Sequence, residues 1–132
     1  MPAMANITVK KYDGTTDVVY TAQQPSAGDN APAIWKDETT GTVLAGRPVL
    51  ALVARNNGNK GARRLSASYL YPKVRTDSAT NVTVQGGASF DGSFLIPQDM
   101  TMVEIREFVH QSTNLLAAAL IKQCLITGYS AT

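Results

Sequence analysis

One cysteine and one histidine stand among 132 residues. Cys124 alone permits no internal disulfide and no thiolate metal cluster. His110 has no second histidine, no cysteine and no serine on a glycine elbow to work with, so neither metal ligation nor nucleophilic catalysis finds a candidate. A glycine-rich phosphate loop is also missing. No apolar run approaches the ~20 residues of a membrane span, and Met1 to Ile7 lacks the basic head and long apolar stretch of a secretory signal. The expectation is a protein made in the cytoplasm, not an enzyme, with no cofactor, no metal, no membrane contact and no small-molecule substrate.

A second absence is more informative. Between Thr39 and Thr76 the chain has no acidic residue, yet seven of its twelve basic residues lie there: Arg47, Arg55, Lys60, Arg63, Arg64, Lys73 and Arg75. The formal net charge, +2, conceals this imbalance. One-sided charge on strand-like segments suggests a surface that meets phosphates. The competing reading is a solvated face, balanced by the acidic residues elsewhere in the chain.

The first two thirds read as strand and turn, because β-branched and aromatic residues recur in short runs separated by Gly, Asp, Asn and Pro. Ile7 to Tyr12 and Thr16 to Thr21 flank Asp13-Gly14, a dipeptide suited to a hairpin turn. Ala33 to Asp37 forms a short strand carrying Trp35. Arg47 to Arg55 and Arg63 to Tyr71 are the strongest strands, joined by the Asn- and Gly-rich turn Asn56 to Ala62. Alternation places Leu65, Ala67, Tyr69 and Tyr71 on one face of the second, with Arg64, Ser66, Ser68 and Leu70 on the other. Pro72 removes a ladder donor, so Lys73 to Arg75 is expected as a short edge piece before a mobile loop, Thr76 to Gly87. In the strand Ala88 to Ile96, Phe90, Phe94 and Ile96 point one way and Ser89, Asp91 and Ser93 the other.

Helix signals come last. Thr101 with Glu104 has capping-box spacing, with Asp99 as the competing cap, and an apolar stripe runs from Val103 to Leu120. A bend near Ala117 to Ala119 would open a second short helix, one long helix being the alternative. Strands first and helices last make an α+β chain: an amino-terminal β-hairpin, an antiparallel sheet of about five further strands and two carboxy-terminal helices. So wide a sheet with so few helices to cover it suggests a symmetric dimer. Trp35, Tyr69 and Tyr71 read as core rather than as stacking platforms, and Cys124 as a small buried hydrophobe.

In order and spacing these features resemble the coat proteins of the single-stranded RNA bacteriophages, the levivirus group, over nearly the whole chain. The likeness rests on the Asp13-Gly14 hairpin, the Trp35 strand and the basic hairpin ending in Tyr71-Pro72-Lys73-Val74. It continues through the Leu95-Ile96-Pro97 strand exit, Glu107-Phe108-Val109, and Leu115 to Ile121. The resemblance implies one coat domain over residues 1–132, with the hairpin at 1–21, the main sheet at 31–97 and the helices at 99–127. It implies an interlocked homodimer, assembly of many dimers into an icosahedral shell, location in the virion, and a single-stranded RNA genome as partner. It also implies that an RNA hairpin is bound as a translational repressor. The RNA-facing residues it implies are Val53, Arg55, Arg64, Ser66, Ser68, Ser89 and Asp91, beside Val49 and Ala51. Arg63 and Lys60, nearer the turn, read as solvated. The loop Thr76 to Gly87 would change shape between subunits and set shell curvature. A different class of protein, a small dimeric RNA-binding regulator that builds no shell, shares the same basic sheet.

Overall fold

The structure is a computed structural model that describes every residue except Met1, 40–42, Lys60, Ser78 and Thr80. The chain divides into two compact units, Met1–Leu95 and Ile96–Thr132.

The first unit is a six-stranded sheet whose spatial order follows the sequence. Its strands are β1 (Ile7–Lys10), β2 (Asp17–Gln24), β3 (Pro32–Asp37), β4 (Val49–Asn56), β5 (Ala62–Thr76) and β6 (Val82–Pro97). Each neighbouring pair from β1 to β5 is antiparallel, and β6 borders β5. Such a meander needs only short connections, which the Gly-, Asn- and Asp-rich segments supply.

The amino-terminal hairpin forms as expected, but its turn is wider than the Asp13-Gly14 dipeptide alone suggests. The Lys11 amide donates to the Thr16 carbonyl at 2.8 Å, so six residues close the loop. Asp13 holds it by accepting from the amides of Thr15 and Thr16, each at 2.9 Å. Gly14 takes the positive φ, +74°.

The larger departure is in β5 and β6. Lys73 to Arg75 is no separate edge piece: β5 runs unbroken through Pro72 to Thr76, which reduces the expected five further strands to four. Pairing with β4 ends at Val49 opposite Leu70, so on that side the missing N–H of Pro72 interrupts no ladder. A one-turn 3-10 helix, Leu44–Gly46, lies against the extension instead, with no room for a Cβ on Gly46, which would stand 2.5 Å from Val74 Cγ2. β6 likewise begins at Val82, so most of the expected loop from Thr76 to Gly87 is strand. Its turn is closed by the Asp77 amide donating to the Asn81 carbonyl at 3.0 Å, while the expectation placed on Ser78 lies outside the described residues. Gly87 has φ +158°, and a Cβ there would stand 2.5 Å from the Tyr71 carbonyl oxygen. Glycine is therefore required for close strand approach rather than for loop mobility.

The two faces of the sheet differ. One carries Ile7, Val9, Tyr20, Trp35, Leu50, Leu52, Leu65 and Tyr69, with Trp35 buried. The amino-terminal segment lies along part of it: Trp35 Nε1 donates to the Ala5 carbonyl at 2.8 Å and the Ala22 amide to Asn6 Oδ1 at 3.0 Å. The Tyr20 and Tyr69 hydroxyls share a 2.7 Å hydrogen bond. Burial, and then that bond, push the Tyr69 phenol well above its usual range. Tyr71 is not the core residue expected, since half of its surface is exposed.

The second unit holds α1 (Met102–Leu116) and α2 (Ala119–Thr127). Thr101 caps α1 in a full capping box with Glu104, so Asp99 is not the cap. No Gly or Pro ends α1. Instead Ser112 and Thr113 bond back to the Val109 carbonyl, at 3.2 and 2.7 Å, in a polar stretch of poor helix formers. Ala118 is then extended, and α2 closes on Gly128 at φ +78°. Neither helix has a buried residue, and Cys124 is half-buried rather than buried. Among the described residues no helix is long and apolar enough to cross a membrane.

Candidate nucleic-acid interface

The opposite face of the sheet collects the residues singled out by sequence. The β4–β5 turn sets the register: the Asn57 amide donates to the buried Ala62 carbonyl at 2.8 Å, and Asn59 Oδ1 accepts from the Gly61 amide at 3.0 Å. Directly opposite pairs then share a face. Arg55 faces Arg64, Val53 faces Ser66, Ala51 faces Ser68 and Val49 faces Leu70. Ser89 and Asp91 arrive from β6, so that two grooves form on this serine face. One, of about 380 Å³, is lined by Val53, Ser66, Ala67, Ser68, Asp91, Gly92 and Ser93. Its neighbour, of about 340 Å³, is lined by Val49, Ala51, Ser68, Tyr69, Leu70, Ser89 and Asp91. All seven expected residues thus come together on one face.

The charges are not equivalent. Arg55 is exposed and Arg64 half-buried, and among the described residues neither has a carboxylate within ion-pair distance. Two guanidiniums directly across a strand pair repel each other, an arrangement that favours an anion between them. Arg63, one residue along, belongs to the other face. It grips Asp29 with a two-pronged bridge, 2.8 Å on each prong, and donates to Asn56 Oδ1 at 2.9 Å. The Arg63 hydrogen bond holds the Asp29 carboxyl below its usual range. Arg63 is therefore ion-paired as well as solvated, its side chain still 43% exposed, and Lys60 lies outside the described residues.

Two members of the face lie outside the expected RNA-facing set, although alternation already put Ser93 beside Ser89 and Asp91. Lys36 lies opposite Val49, which puts it on the serine face; alternation outward from Trp35 was the available signal. Ser93 lines the larger groove. No aromatic ring from the described strand residues stands on this face. Its chemistry is that of cations for phosphate, hydroxyls that donate or accept, and, in the two grooves, one acceptor-only carboxylate. Among the described residues no group of three or more His, Cys, Asp or Glu could hold a metal.

No family profile and no curated protein sequence matches the chain. Solved structures do. The subunit of the virus-like particle of bacteriophage NT-214 superposes with a TM-score of 0.82 at 14% identity, covering 99% of this chain and 100% of that one. The virus-like particle of Beihai levi-like virus 21 gives 0.82 at 17% identity, covering 99% of both chains. The bacteriophage GA protein capsid gives 0.75 at 14% identity over 95% of both. The chain therefore has the coat-protein fold of the RNA bacteriophages, a six-stranded antiparallel sheet followed by two helices.

Proposed function

We propose that this chain is a structural capsid protein, not an enzyme, that dimerises, assembles into an icosahedral shell and encloses single-stranded RNA. The observation that carries this reading is end-to-end agreement with subunits of virus-like particles, at a TM-score of 0.82 and with almost nothing left over on either side. The exposed apolar surface supports it. Leu115, Leu120, Leu125 and Ile126 of the helices are each more than 60% exposed, and a nine-residue helix with no buried face is not stable by itself. The tyrosine face of the sheet carries an apolar hollow of about 240 Å³ between Ile7, Val9, Tyr20, Leu50 and Tyr69. A homodimer in which each subunit's helices cover the partner's sheet removes both exposures. Residues 1–132 then act as a single coat domain, made in the host cytoplasm and located in the virion.

The serine face is the RNA surface in this reading. Arg55, Arg64 and Lys36 neutralise phosphates, and Ser66, Ser68, Ser89 and Ser93 bond to sugar or base edges. Electron microscopy of the protein expressed alone in bacteria, with the ultraviolet absorbance ratio of the purified material, tests the proposal. Uniform shells containing nucleic acid are expected. Soluble dimers without particles across salt and concentration would overturn the capsid reading and favour the RNA-binding regulator.

A further inference from the structure

Asp91 is out of place on a surface that holds RNA. A carboxylate repels phosphate, yet this one stands on the serine face, on the edge strand β6, lining both grooves. Among the described residues it has no cationic or hydrogen-bonding partner, so no internal contact explains it. What surrounds it is small: Ser66, Ser68 and Ser93, with Val53 from β4. A groove of about 380 Å³ with small walls has room for a nucleobase. An ionised carboxylate is an acceptor only, with two oxygens side by side. Of the four RNA bases, guanine alone offers two adjacent donors on its pairing edge, N1–H and the 2-amino group. Adenine and cytosine each offer one amino group there, and uracil one imino hydrogen.

We propose that this groove reads an unpaired guanine, with both Asp91 oxygens accepting from its N1–H and 2-amino group. The base rests against Val53 and the serine side chains. Arg64 lies two residues from Ser66 along β5, a rise of about 7 Å, which suits a phosphate adjoining the bound nucleotide. The carboxylate also excludes backbone phosphate from the groove, so the same charge that attracts guanine rejects misplaced strands. This inference rests on the serine face being the RNA surface.

The test uses assembled or dimeric full-length protein and short uridine-rich RNA strands that carry one central guanosine, adenosine, cytidine, uridine or inosine. Fluorescence anisotropy at one salt concentration gives the affinities. Guanosine should bind about tenfold tighter than the other three natural nucleosides. Inosine lacks the 2-amino group and should fall between them. Asp91→Asn should abolish the guanosine preference while strengthening binding to the all-uridine strand, because the repelling charge is gone. Tight binding with no preference, or a preference that survives Asp91→Asn, overturns the guanine proposal and leaves RNA binding standing. Failure of the unaltered protein to bind any strand overturns both. The inosine comparison needs no altered protein, so a folding defect in the variant cannot rescue the idea.

Discussion

The pairing of Arg55 with Arg64 makes opposite predictions for stability and for binding. The two guanidiniums face each other across β4 and β5 without a carboxylate partner among the described residues. Like charges in this position cost roughly 0.2–1 kcal/mol. Glutamine keeps most of the aliphatic stem, so Arg64→Gln removes the charge without opening a void. Unfolding should then become harder, with the urea midpoint rising by about 0.1–0.5 M for a chain of this size. Arg55→Gln should give the same gain. The double variant should gain no more than either single, because the first substitution already removes the whole repulsion.

RNA binding should behave the other way. If each arginine neutralises one phosphate, each substitution lowers the slope of log affinity against log salt by about 0.7, and the two losses add. Trp35 provides the stability readout: it is the single tryptophan, and both its burial and its bond to Ala5 vanish on unfolding. Protein concentration must be held constant, since the proposed dimerisation would contribute to apparent stability. Anisotropy of labelled single-stranded RNA across a salt series provides the binding readout. A fall in midpoint for Arg64→Gln would show that the pair is not repulsive. An unchanged salt slope would show that the serine face does not meet phosphate.

Three further outcomes follow from local geometry. Gly87→Ala forces a Cβ to 2.5 Å from the Tyr71 oxygen and 2.7 Å from Pro72 Cα, backbone atoms that cannot rotate away. It should cost about 2–4 kcal/mol in thermal unfolding, whereas Gly58→Ala, which meets open space, should stay within about 0.5 kcal/mol; equal effects would refute the close approach of β6 to β5. The Asp13 carboxyl is held at about 2, first by the Thr16 hydroxyl, then by the Thr16 and Thr15 amides. A lowered value means that its contribution is complete above about pH 4 and is lost as pH falls through about 2, so the Thr15 and Thr16 amide resonances should titrate near 2 and not near 4. Tyr69→Phe leaves the Tyr20 hydroxyl without its partner and should cost about 1 kcal/mol in urea unfolding, with Tyr20→Phe added on top costing little more; additive losses would refute the shared bond.

Much of this arrangement was legible in the sequence wherever the signal is local. Alternation alone separated Arg64, Ser66 and Ser68 from Leu65, Ala67 and Tyr69, and the β4–β5 register agrees. The capping box at Thr101 and the break before α2 are likewise set within a few residues. What the sequence hid depends on distant neighbours. Pro72 is harmless because β4 has already ended beside it, and Gly87 serves β6 because Tyr71 lies across from it. Arg63 and Arg64 look alike in a basic run, yet Asp29, 34 positions earlier, neutralises one and not the other. Lys36 is hidden for a simpler reason: it lies just outside the acid-free stretch between Thr39 and Thr76.

The distribution of satisfied and unsatisfied groups separates the two faces more sharply than charge does. On the tyrosine face the polar atoms find partners: Tyr20 with Tyr69, Trp35 with Ala5, Arg63 with Asp29. On the serine face two arginines oppose each other and a carboxylate stands alone among the described residues. Sequences that fold well agree with local rules nearly everywhere, and departures concentrate where function demands them. A merely solvated face would have no reason to align Arg55 with Arg64, since exchanging either for a neutral residue would relieve repulsion without loss. Retaining both makes physical sense when an anion completes the pair. In the proposed reading Asp91, on the same face, is accounted for by an anion that is more than a string of phosphates, because a backbone alone would be held better without it. A nucleotide meets both demands, with phosphate for the arginines and a base edge rich in donors for the carboxylate.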